Sequence, residues 1–195
     1  TSLDVWDERF ASAGTTLVEH RESLVESLQP IVAEMYRSFA PTPEEHGSGQ
    51  PARVAELSYR RSWTGTLGDA LAASREEDLR RGVTTRGPHR DDLVLQLDGR
   101  DARLQGSQGE QRSLALALRL AIHQLVIERC GHTPILLLDD VFSELDIARA
   151  AALIRAVPAG QVLLTTAVPL PEGIEVSEVV DVRSIGSELG EGGVS

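Results

Sequence analysis

The chain has 195 residues, of which 41% are hydrophobic and 25% are charged, and its formal net charge is −11 at pH 7. This composition is typical of a globular protein, and the length suits one ordinary domain or one and a half small ones. The acidic balance argues against a surface that binds polyanions everywhere, although it is compatible with a local basic patch. No stretch approaches the ~18 consecutive apolar residues of a membrane span, so we expect no membrane association and a cytoplasmic location.

Three further features of the sequence are its single cysteine, its N-terminus and its basic residues. The only cysteine, Cys130, excludes an internal disulfide, favours a reducing compartment and is predicted to be a buried structural thiol. The N-terminus begins with Thr1 and lacks the basic and apolar regions of a signal peptide, which we interpret as a fragment or a processed chain. All 19 basic residues are arginine, and the sequence contains no lysine.

Residues Leu3–Phe39 are predicted to be helical, because apolar side chains recur at alternating steps of three and four. Gly14 and Pro30 are expected to loosen or kink this helix. Two interpretations are open: amphipathic helices packed on their own domain, or an arm whose antiparallel partner helix is absent. The predicted apolar seam comprises Leu3, Trp6, Phe10, Ala13, Leu17, Leu24, Leu28, Ile31 and Met35.

Alternating strands and helices are predicted for the rest of the chain. After a flexible loop over Ala40–Ala52, "VAELSYRR" is typical of a strand and "TLGDALAASREEDLRRG" of a helix ending at Gly82. The Asp98-Gly99 pair within "DDLVLQLDGRDARL" indicates a β-hairpin. A long helix is then predicted from Ser107 to about Cys130.

The following segments predict a parallel β-α-β unit. Its strands are Ile135–Leu138 and Gln161–Thr166, joined by a helix from about Asp146 to Val157. Both strands are continuous apolar runs, which is the pattern expected when both faces of a sheet are covered. The tail after about Ser184 is predicted to be disordered.

Two adjacent carboxylates follow the first of these strands in "PILLLDDVFSELD". Asp139 at the carboxyl end of a strand is well placed to hold Mg²⁺ against phosphate oxygens, and Asp140 to polarise an attacking water. The alternative is that either aspartate simply caps the following turn. The apolar run before the pair and "SELD" after it favour the metal site.

The segment "GSQGEQRS" predicts a second site element, because Ser107 and Glu110 have the spacing of a capping box. Gly106 and Gly109 allow close approach of the backbone, and the free N–H groups of a helix start attract anions. The alternative is an ordinary well-capped helix. A phosphate-binding P-loop needs a lysine, so a chain without lysine is not expected to hold a complete ATP site by itself.

The order of "GSQGEQRSLALALRLA" and "PILLLDDVFSELD" resembles the C-terminal half of the ABC-type ATPase heads of the SMC/Rad50 group. The segments "TTRGPHRDDLVLQLDGRDARL" and "LDVWDERFASAG" are similar to a bacterial recombination mediator of that group, and the resemblance covers roughly residues 2–166. It implies an α/β fold: the C-terminal half of an ABC-type head, with parallel strands and packed helices, preceded by a helical arm segment. The implied domains are an arm or lid over 1–85, the head lobe over 86–184 and a disordered tail over 185–195.

The resemblance also implies a site in which ATP and Mg²⁺ lie between two heads of a homodimer. In it Asp139 would be the metal ligand, Asp140 the catalytic carboxylate and Asp146 the aspartate of the D-loop. The signature motif that meets the γ-phosphate of the other head would comprise Ser107, Gln108, Gly109 and Glu110. The usual switch histidine is missing, since the segment after the last strand is "TTAVP". The implied activity is a weak ATPase in the whole protein, inactive in this chain alone.

An arginine cluster suggests contact with DNA, because phosphate neutralisation is the general mode of such binding. The alternative is a solvated face with ion pairs to Glu76, Glu77 and Asp78. The resemblance implies ATP-dependent binding of single-stranded or gapped duplex DNA and recombination mediator proteins as partners. The candidate residues are Arg60, Arg61, Arg80, Arg81, Arg86 and Arg90, and His89 beside Arg90 can reach either nucleotide or DNA.

Two other functions are open. Asp139, Asp140 and Glu144 form a carboxylate cluster that would suit a Mg²⁺-diphosphate enzyme, provided that the segment were helical. A non-catalytic interaction domain would use the helix over Leu3–Phe39 as a docking surface. If the chain is half of a split site, its parallel sheet lacks neighbours and exposes apolar faces.

Overall fold

The computed structural model of the chain describes residues 2–39, 53–157, 159–170 and 176–182. The predicted loop over Ala40–Ala52 and the predicted disordered tail lie outside the described residues. Two 3-10 turns, Pro88–Arg90 and Val141–Glu144, supplement the regular elements. These elements are α1 (Ser2–Phe39), β1 (Ala55–Arg60), α2 (Leu67–Arg81), β2 (Asp92–Leu97), β3 (Arg100–Asp101), α3 (Ala102–Gln105), α4 (Gln108–Cys130), β4 (Leu136–Asp139), α5 (Ile147–Ala156) and β5 (Val162–Thr165).

Helix α1 is one continuous helix of 38 residues, with Pro30 inside it. The predicted helix is confirmed. Of the predicted seam, Leu28, Ile31 and Met35 pack on the core, and the exposed remainder is what an arm without its antiparallel partner helix would show. The buried face is rotated by one residue, about 100° around the axis, because Val18, Val25 and Val32 are buried whereas their neighbours Leu17 and Leu24 are exposed. Apolar residues occupy two adjoining stripes, and only tertiary packing selects the stripe that is covered.

The three-stranded antiparallel sheet has the order β1-β2-β3. Strands β2 and β3 form the predicted hairpin, with Leu97 opposite Arg100 and positive φ angles of 51° at Asp98 and 72° at Gly99. Positive φ angles at both central residues are typical of a type I′ turn, whose twist matches that of the two flanking strands. Strand β1 adds to this hairpin over its whole length, from Ala55 opposite Leu97 to Arg60 opposite Asp92.

Strands β4 and β5 pair in parallel through the crossover helix α5, as predicted. Within this chain one face of the sheet is covered and the other is open. Leu138 is buried, whereas Leu137 is 69% exposed and its cross-strand partner Leu163 is 53% exposed. Alternate residues point to opposite faces of a strand, so one face rests on the core and the other is open. This open face is the consequence expected of a sheet without neighbours.

The main core lies between the C-terminal half of α1, the antiparallel sheet, α4 and α5. Its most deeply buried side chains include Val32 of α1, Ala117 and Ala121 of α4, and Leu153 of α5, all with 0% exposure. A smaller cluster joins Val18 to Trp63, Leu67 and Leu71 near the start of α2. The boundary predicted after residue 85 falls between the paired strands β1 and β2, and the division into arm and lobe stays a prediction.

Cys130 is exposed, which corrects the prediction of a buried thiol. It is the last residue of α4, next to Gly131, whose left-handed conformation ends the helix. The buried stripe of α4 stops at Leu125, more than one turn earlier. Apolar neighbours in the sequence therefore did not indicate burial, because they point in other directions around the helix.

Candidate functional site

The start of α4 carries the predicted capping box. The Glu110 N–H donates to Ser107 Oγ at 3.3 Å, and the Ser107 N–H donates to Glu110 Oε2 at 2.8 Å. The other carboxylate oxygen, Oε1, lies 3.2 Å from Arg53 Nε. Ser107 and Gln108 are exposed, so the positive end of the helix dipole faces outward.

Two glycines around this helix start are in close contact with their surroundings. A Cβ at Gly106 would lie 2.5 Å from the carbonyl oxygen of Ala102, which is fixed backbone. A Cβ at Gly109 would lie 3.2 Å from Nη2 of Arg149. The first glycine allows the tight passage from α3 to α4, and the second lets a guanidinium lie directly on the helix.

Asp139 ends β4 on the same face as the exposed Leu137, which is the open face of the parallel sheet. Its carboxylate accepts a hydrogen bond from the hydroxyl of Thr165, the residue opposite it on β5. The two aspartates therefore stand at the carboxyl end of a parallel sheet, where ligands of open α/β sheets bind.

Asp140 has a left-handed backbone, with φ 44° and ψ 33°. Its N–H donates to the Thr165 carbonyl at 3.0 Å, and its Oδ1 accepts from the Ala167 N–H at 3.4 Å. A non-glycine residue in this region costs roughly 1–3 kcal/mol and is over-represented at functional sites. The Asp140 carboxylate thus contacts the segment that follows β5.

Asp139 offers one exposed carboxylate at this edge of the sheet. Within the described residues there is no cluster of three or more His, Cys, Asp or Glu side chains that could hold a metal, and the Glu144 side chain lies outside them. Mg²⁺ usually takes one or two carboxylates and completes its coordination with water and phosphate oxygens. The exposed Asp139 fits that role.

Asp146 caps α5, because its Oδ1 accepts from the Arg149 N–H at 2.8 Å. Its other oxygen pairs with the Arg149 guanidinium, whose Nε donates to Ser113 Oγ at 3.0 Å. Arg149 thus joins two predicted motifs, the start of α4 and the aspartate before α5. The sequence interpretation missed it, although the D-x-x-R spacing at a helix start was a usable signal.

Tyr36 of α1 lies beneath this region. The pKa of Tyr36 is raised to about 12, chiefly by burial and then by the charge of the Glu110 carboxylate, while the charges of Arg53 and Arg149 lower it. The C-terminal end of α1 therefore supports the charged residues at the start of α4. Among the described side-chain contacts, none joins Ser107 or Asp146 directly to Asp139.

Several candidate DNA-binding arginines are held by carboxylates. Arg60 pairs with Asp92 at 2.9 Å, and Arg81 with Glu77 at 2.7 Å. Arg61 donates to both oxygens of Glu22, at 2.7 and 2.5 Å, and this hydrogen bonding lowers the pKa of Glu22. The ion-pair interpretation is thus supported at three positions, though only Glu77 was a predicted partner.

The segment of residues 84–92 is fixed to α1 and β1 by hydrogen bonds. Asp91 accepts from the Tyr59 hydroxyl at 2.5 Å and from the Ser62 N–H at 2.8 Å. Arg21 of α1 donates to the Pro88 carbonyl at 2.7 Å. Sequence interpretation did not single out Arg21 or Tyr59, because each has its partner far away in the chain.

The remaining candidates lie around this segment. Arg86 donates to the Ser62 carbonyl at 2.9 Å and Arg90 to the Thr84 carbonyl at 3.3 Å, while Arg80 is exposed at the end of α2. His89 Nε2 lies 3.0 Å from the same Thr84 oxygen. Of these four residues only Arg86 lines a nearby groove of about 540 Å³, together with Arg61, Trp63 and Glu77 among others.

In the described part of the chain, every helix is too short or too polar to cross a membrane. The fold matches part of a recombination mediator protein. One solved structure, that protein with ATP in the RecFOR pathway, superposes with a TM-score of 0.67 at 26% identity over 89% of this chain and 46% of that chain. A second, its complex with ATPrS, gives a TM-score of 0.68 at 28% identity over 88% of this chain and 47% of that chain.

The protein in both structures is RecF, and sequence comparison leads to the same protein. The DNA replication and repair protein RecF of Frankia alni is 45% identical over 195 residues, which are 96% of this chain and 51% of the relative. RecF of Streptomyces avermitilis is 41% identical over 86% of this chain and 45% of its own length. No protein-family model matches the chain. The chain is a homologue of RecF and spans about half the length of the curated relatives it matches.

Proposed function

We propose that the chain is the C-terminal part of a RecF-like DNA repair and recombination ATPase, which binds ATP between two heads and binds DNA. One observation carries the proposal most strongly: the capped, outward-facing start of α4 occurs in a fold shared with a RecF structure that contains ATP. A helix start of this kind offers free N–H groups and a positive dipole end to an anion.

The proposed site assigns each motif one task. Asp139 would hold Mg²⁺, which would supply charge neutralisation at the phosphates, and Asp140 would accept a proton from the attacking water. Asp146 lies at the boundary between the two heads. The groups that meet the γ-phosphate bound to the other head are Ser107, Gln108, Gly109 and Glu110. Asp140 is shorter than the glutamate usual in ABC-type heads, so slow turnover is expected.

The missing lysine supports a split site. A P-loop requires a lysine that reaches the β- and γ-phosphates, and these 195 residues contain none. The phosphate cradle would then come from a part of the protein outside them. The open face of the parallel sheet, with Leu137 and Leu163 exposed, agrees with a neighbouring lobe at that position.

Calorimetry with Mg-ATP at low salt tests the split site directly. The chain alone is expected to bind no ATP, and the full-length protein to bind ATP and to assemble into a dimer. Tight binding and turnover by the chain alone would overturn the assignment.

The role of the α4 start is tested in the full-length protein with Ser107→Arg. The bulky cation would block the approach of a second head, so ATP-driven dimerisation should be lost while ATP binding by single heads is retained. Ser12→Arg, at an exposed position of α1, is the matched control. Unchanged dimerisation of Ser107→Arg would refute the signature role.

DNA binding would use exposed arginines at the end of α2 and in the segment of residues 84–92. Arg80 and Arg90 are the most informative, since Arg60, Arg61 and Arg81 already pair with carboxylates. Replacing both by glutamine should weaken ATP-dependent binding of gapped DNA and reduce its salt dependence, whereas Arg60→Gln should change little. If Arg60→Gln weakened DNA binding as much as the replacement of Arg80 or Arg90, the binding would reflect general charge attraction without a defined surface. Recombination mediator proteins are the proposed protein partners.

The structure bears differently on the two alternative functions, the Mg²⁺-diphosphate enzyme and the interaction domain. A Mg²⁺-diphosphate enzyme of the proposed type needs its carboxylates on a helix, but Leu136–Asp139 is a strand. An interaction domain keeps one supporting observation, because Trp6 is 63% exposed and Leu3 is 47% exposed on α1. Partner binding that is unaffected by nucleotide and by Asp139→Ala would favour this second candidate.

A further inference from the structure

We propose that Arg149 is a positioning residue that fixes the start of α4 and Asp146 as one rigid unit, so that both meet the second head together. The inference rests on the proposed split site and extends it to a residue outside the recognised motifs. Its basis is the set of contacts that one guanidinium makes with three separate groups.

The first contact is with Asp146. The Arg149 N–H and its guanidinium bind the two oxygens of this carboxylate separately, at Oδ1 and Oδ2. Both oxygens of the helix cap are therefore engaged, and the side chain has little freedom to rotate. An aspartate that capped α5 through its backbone bond alone would be free to turn its second oxygen into solvent.

The second contact crosses to α4. Arg149 Nε donates to Ser113 Oγ at 3.0 Å, and Ser113 is only 2% exposed. The third contact is steric, because the guanidinium lies against Gly109, where a Cβ would approach Nη2 to 3.2 Å. Gly109 and Ser113 are four residues apart, so they lie on the same side of α4, which faces α5.

Arginine suits this position for a geometrical reason. Its planar fork presents donors in several directions at fixed angles, whereas a lysine ammonium is a point charge on a flexible stem. One guanidinium can hold the Asp146 carboxylate and the Ser113 hydroxyl at the same time. The side chain is 21% exposed, so water competes with these bonds less than on an open surface.

This clamp should matter for assembly more than for the first binding of nucleotide. In the proposed site Mg-ATP would bind first to the phosphate cradle outside this chain and to Asp139 through the metal, and Asp139 makes no described contact with Arg149. The α4 start and Asp146 act only when a second head arrives. Loss of the clamp would leave the two motifs to be ordered separately during assembly, which raises the nucleotide concentration needed for dimerisation.

The experiment compares Arg149→Gln and Arg149→Lys with Arg155→Gln in the full-length protein. Arg155 is an exposed residue of the same helix and serves as the matched control. Three quantities are measured well below the melting temperature of each variant: the Kd for ATP at dilute protein, the ATP concentration at half-dimerisation, and kcat. Both Arg149 variants should keep the ATP Kd within about twofold, raise the half-dimerisation concentration about tenfold or more and lower kcat.

A merely structural role would lower the melting temperature without separating ATP binding from assembly. If Arg149→Gln dimerises within twofold of the wild type, the positioning role is wrong while the split site stands. If the wild-type protein binds ATP but never dimerises, both the proposed function and the positioning role of Arg149 are wrong.

A Gly109→Ala substitution adds an independent readout. In the wild-type background the new methyl group would press on the guanidinium and impair assembly. In the Arg149→Gln background the same methyl group should add a smaller defect, since the shorter side chain leaves space. Equal defects in both backgrounds would show that Gly109 acts without Arg149.

Discussion

The two sheets of the protein differ in how their faces are covered. The antiparallel sheet of β1, β2 and β3 packs on the C-terminal half of α1, and hydrogen bonds from Tyr59 and Ser62 to Asp91 fix the segment before β2. The parallel pair β4 and β5 rests on the core with one face and leaves Leu137 and Leu163 exposed on the other. Antiparallel sheets commonly expose one face to solvent, whereas parallel sheets are normally buried on both faces, so the open face is unusual only for the parallel pair.

The difference separates structural polar residues from functional ones. In the segment before β2, Asp91 accepts from Tyr59 and Ser62, and Arg86 and Arg90 donate to the backbone carbonyls of Ser62 and Thr84. At the end of the parallel pair, Asp139 and Asp140 lie exposed, and Asp140 keeps a strained backbone. Arginines that already pair with carboxylates are therefore weaker candidates for DNA binding than Arg80.

The largest expected effect concerns the covered side of the parallel unit. Leu153→Ala should lower the free energy of unfolding by about 2–5 kcal/mol, because Leu153 is 0% exposed and its removal leaves a cavity. Leu163→Ala on the open face should cost far less, since that side chain is 53% exposed. Urea denaturation of both variants measures the contrast. Equal losses would show that the face described as open is covered in solution.

The next effect is a pH dependence centred on Tyr36. Its pKa is raised from about 10 in the unfolded chain to about 12, so its contribution to stability is complete below pH 10 and is lost as the pH rises through 12. The loss should approach about 2–3 kcal/mol, at about 1.4 kcal/mol per pH unit. Stability measured from pH 9 to 12 should fall less steeply in Tyr36→Phe. Identical slopes would remove Tyr36 as the cause.

A smaller effect distinguishes two neighbouring aspartates of the antiparallel side. Asp91→Ala should destabilise the protein by about 1–3 kcal/mol, because it deprives the Tyr59 hydroxyl and the Ser62 N–H of their acceptor. Asp92→Ala removes only an exposed ion pair with Arg60 and should cost at most about 1 kcal/mol. Thermal unfolding of the pair tests the assignment. A larger loss from Asp92→Ala would contradict it.

The smallest effect is a difference between two helical glycines. Gly14→Ala should destabilise the protein by about 1 kcal/mol, because a Cβ there would lie 2.6 Å from Leu67 Cδ2 and 3.3 Å from Pro88. Gly68→Ala, whose Cβ would meet nothing closer than 3.9 Å, should instead stabilise α2 by up to about 1 kcal/mol. Calorimetric melting temperatures that move in the same direction would refute the close packing at Gly14.

Local patterns determined much of the secondary structure. The periodicity of apolar residues and the capping residues predicted the helices α1, α2, α4 and α5 and both parallel strands, and the Asp98-Gly99 turn predicted the hairpin. Each of these elements depends on residues that are near one another in the chain. The capping box at Ser107 and the position of Asp139 at a strand end followed for the same reason. The short helix α3 and the pairing of β1 with β2 were not predicted.

Tertiary structure decided which of several plausible surfaces is used. Two apolar stripes adjoin on α1, and only the packing of α4 and the antiparallel sheet shows that Val25 and Val32 are buried while Leu24 is exposed. The ion pair of Arg61 with Glu22 spans 39 residues, and the bond of Arg149 to Ser113 spans 36, so no local pattern contained them. A sequence specifies the conformations of short segments directly, but contacts between distant side chains arise only when the segments pack together.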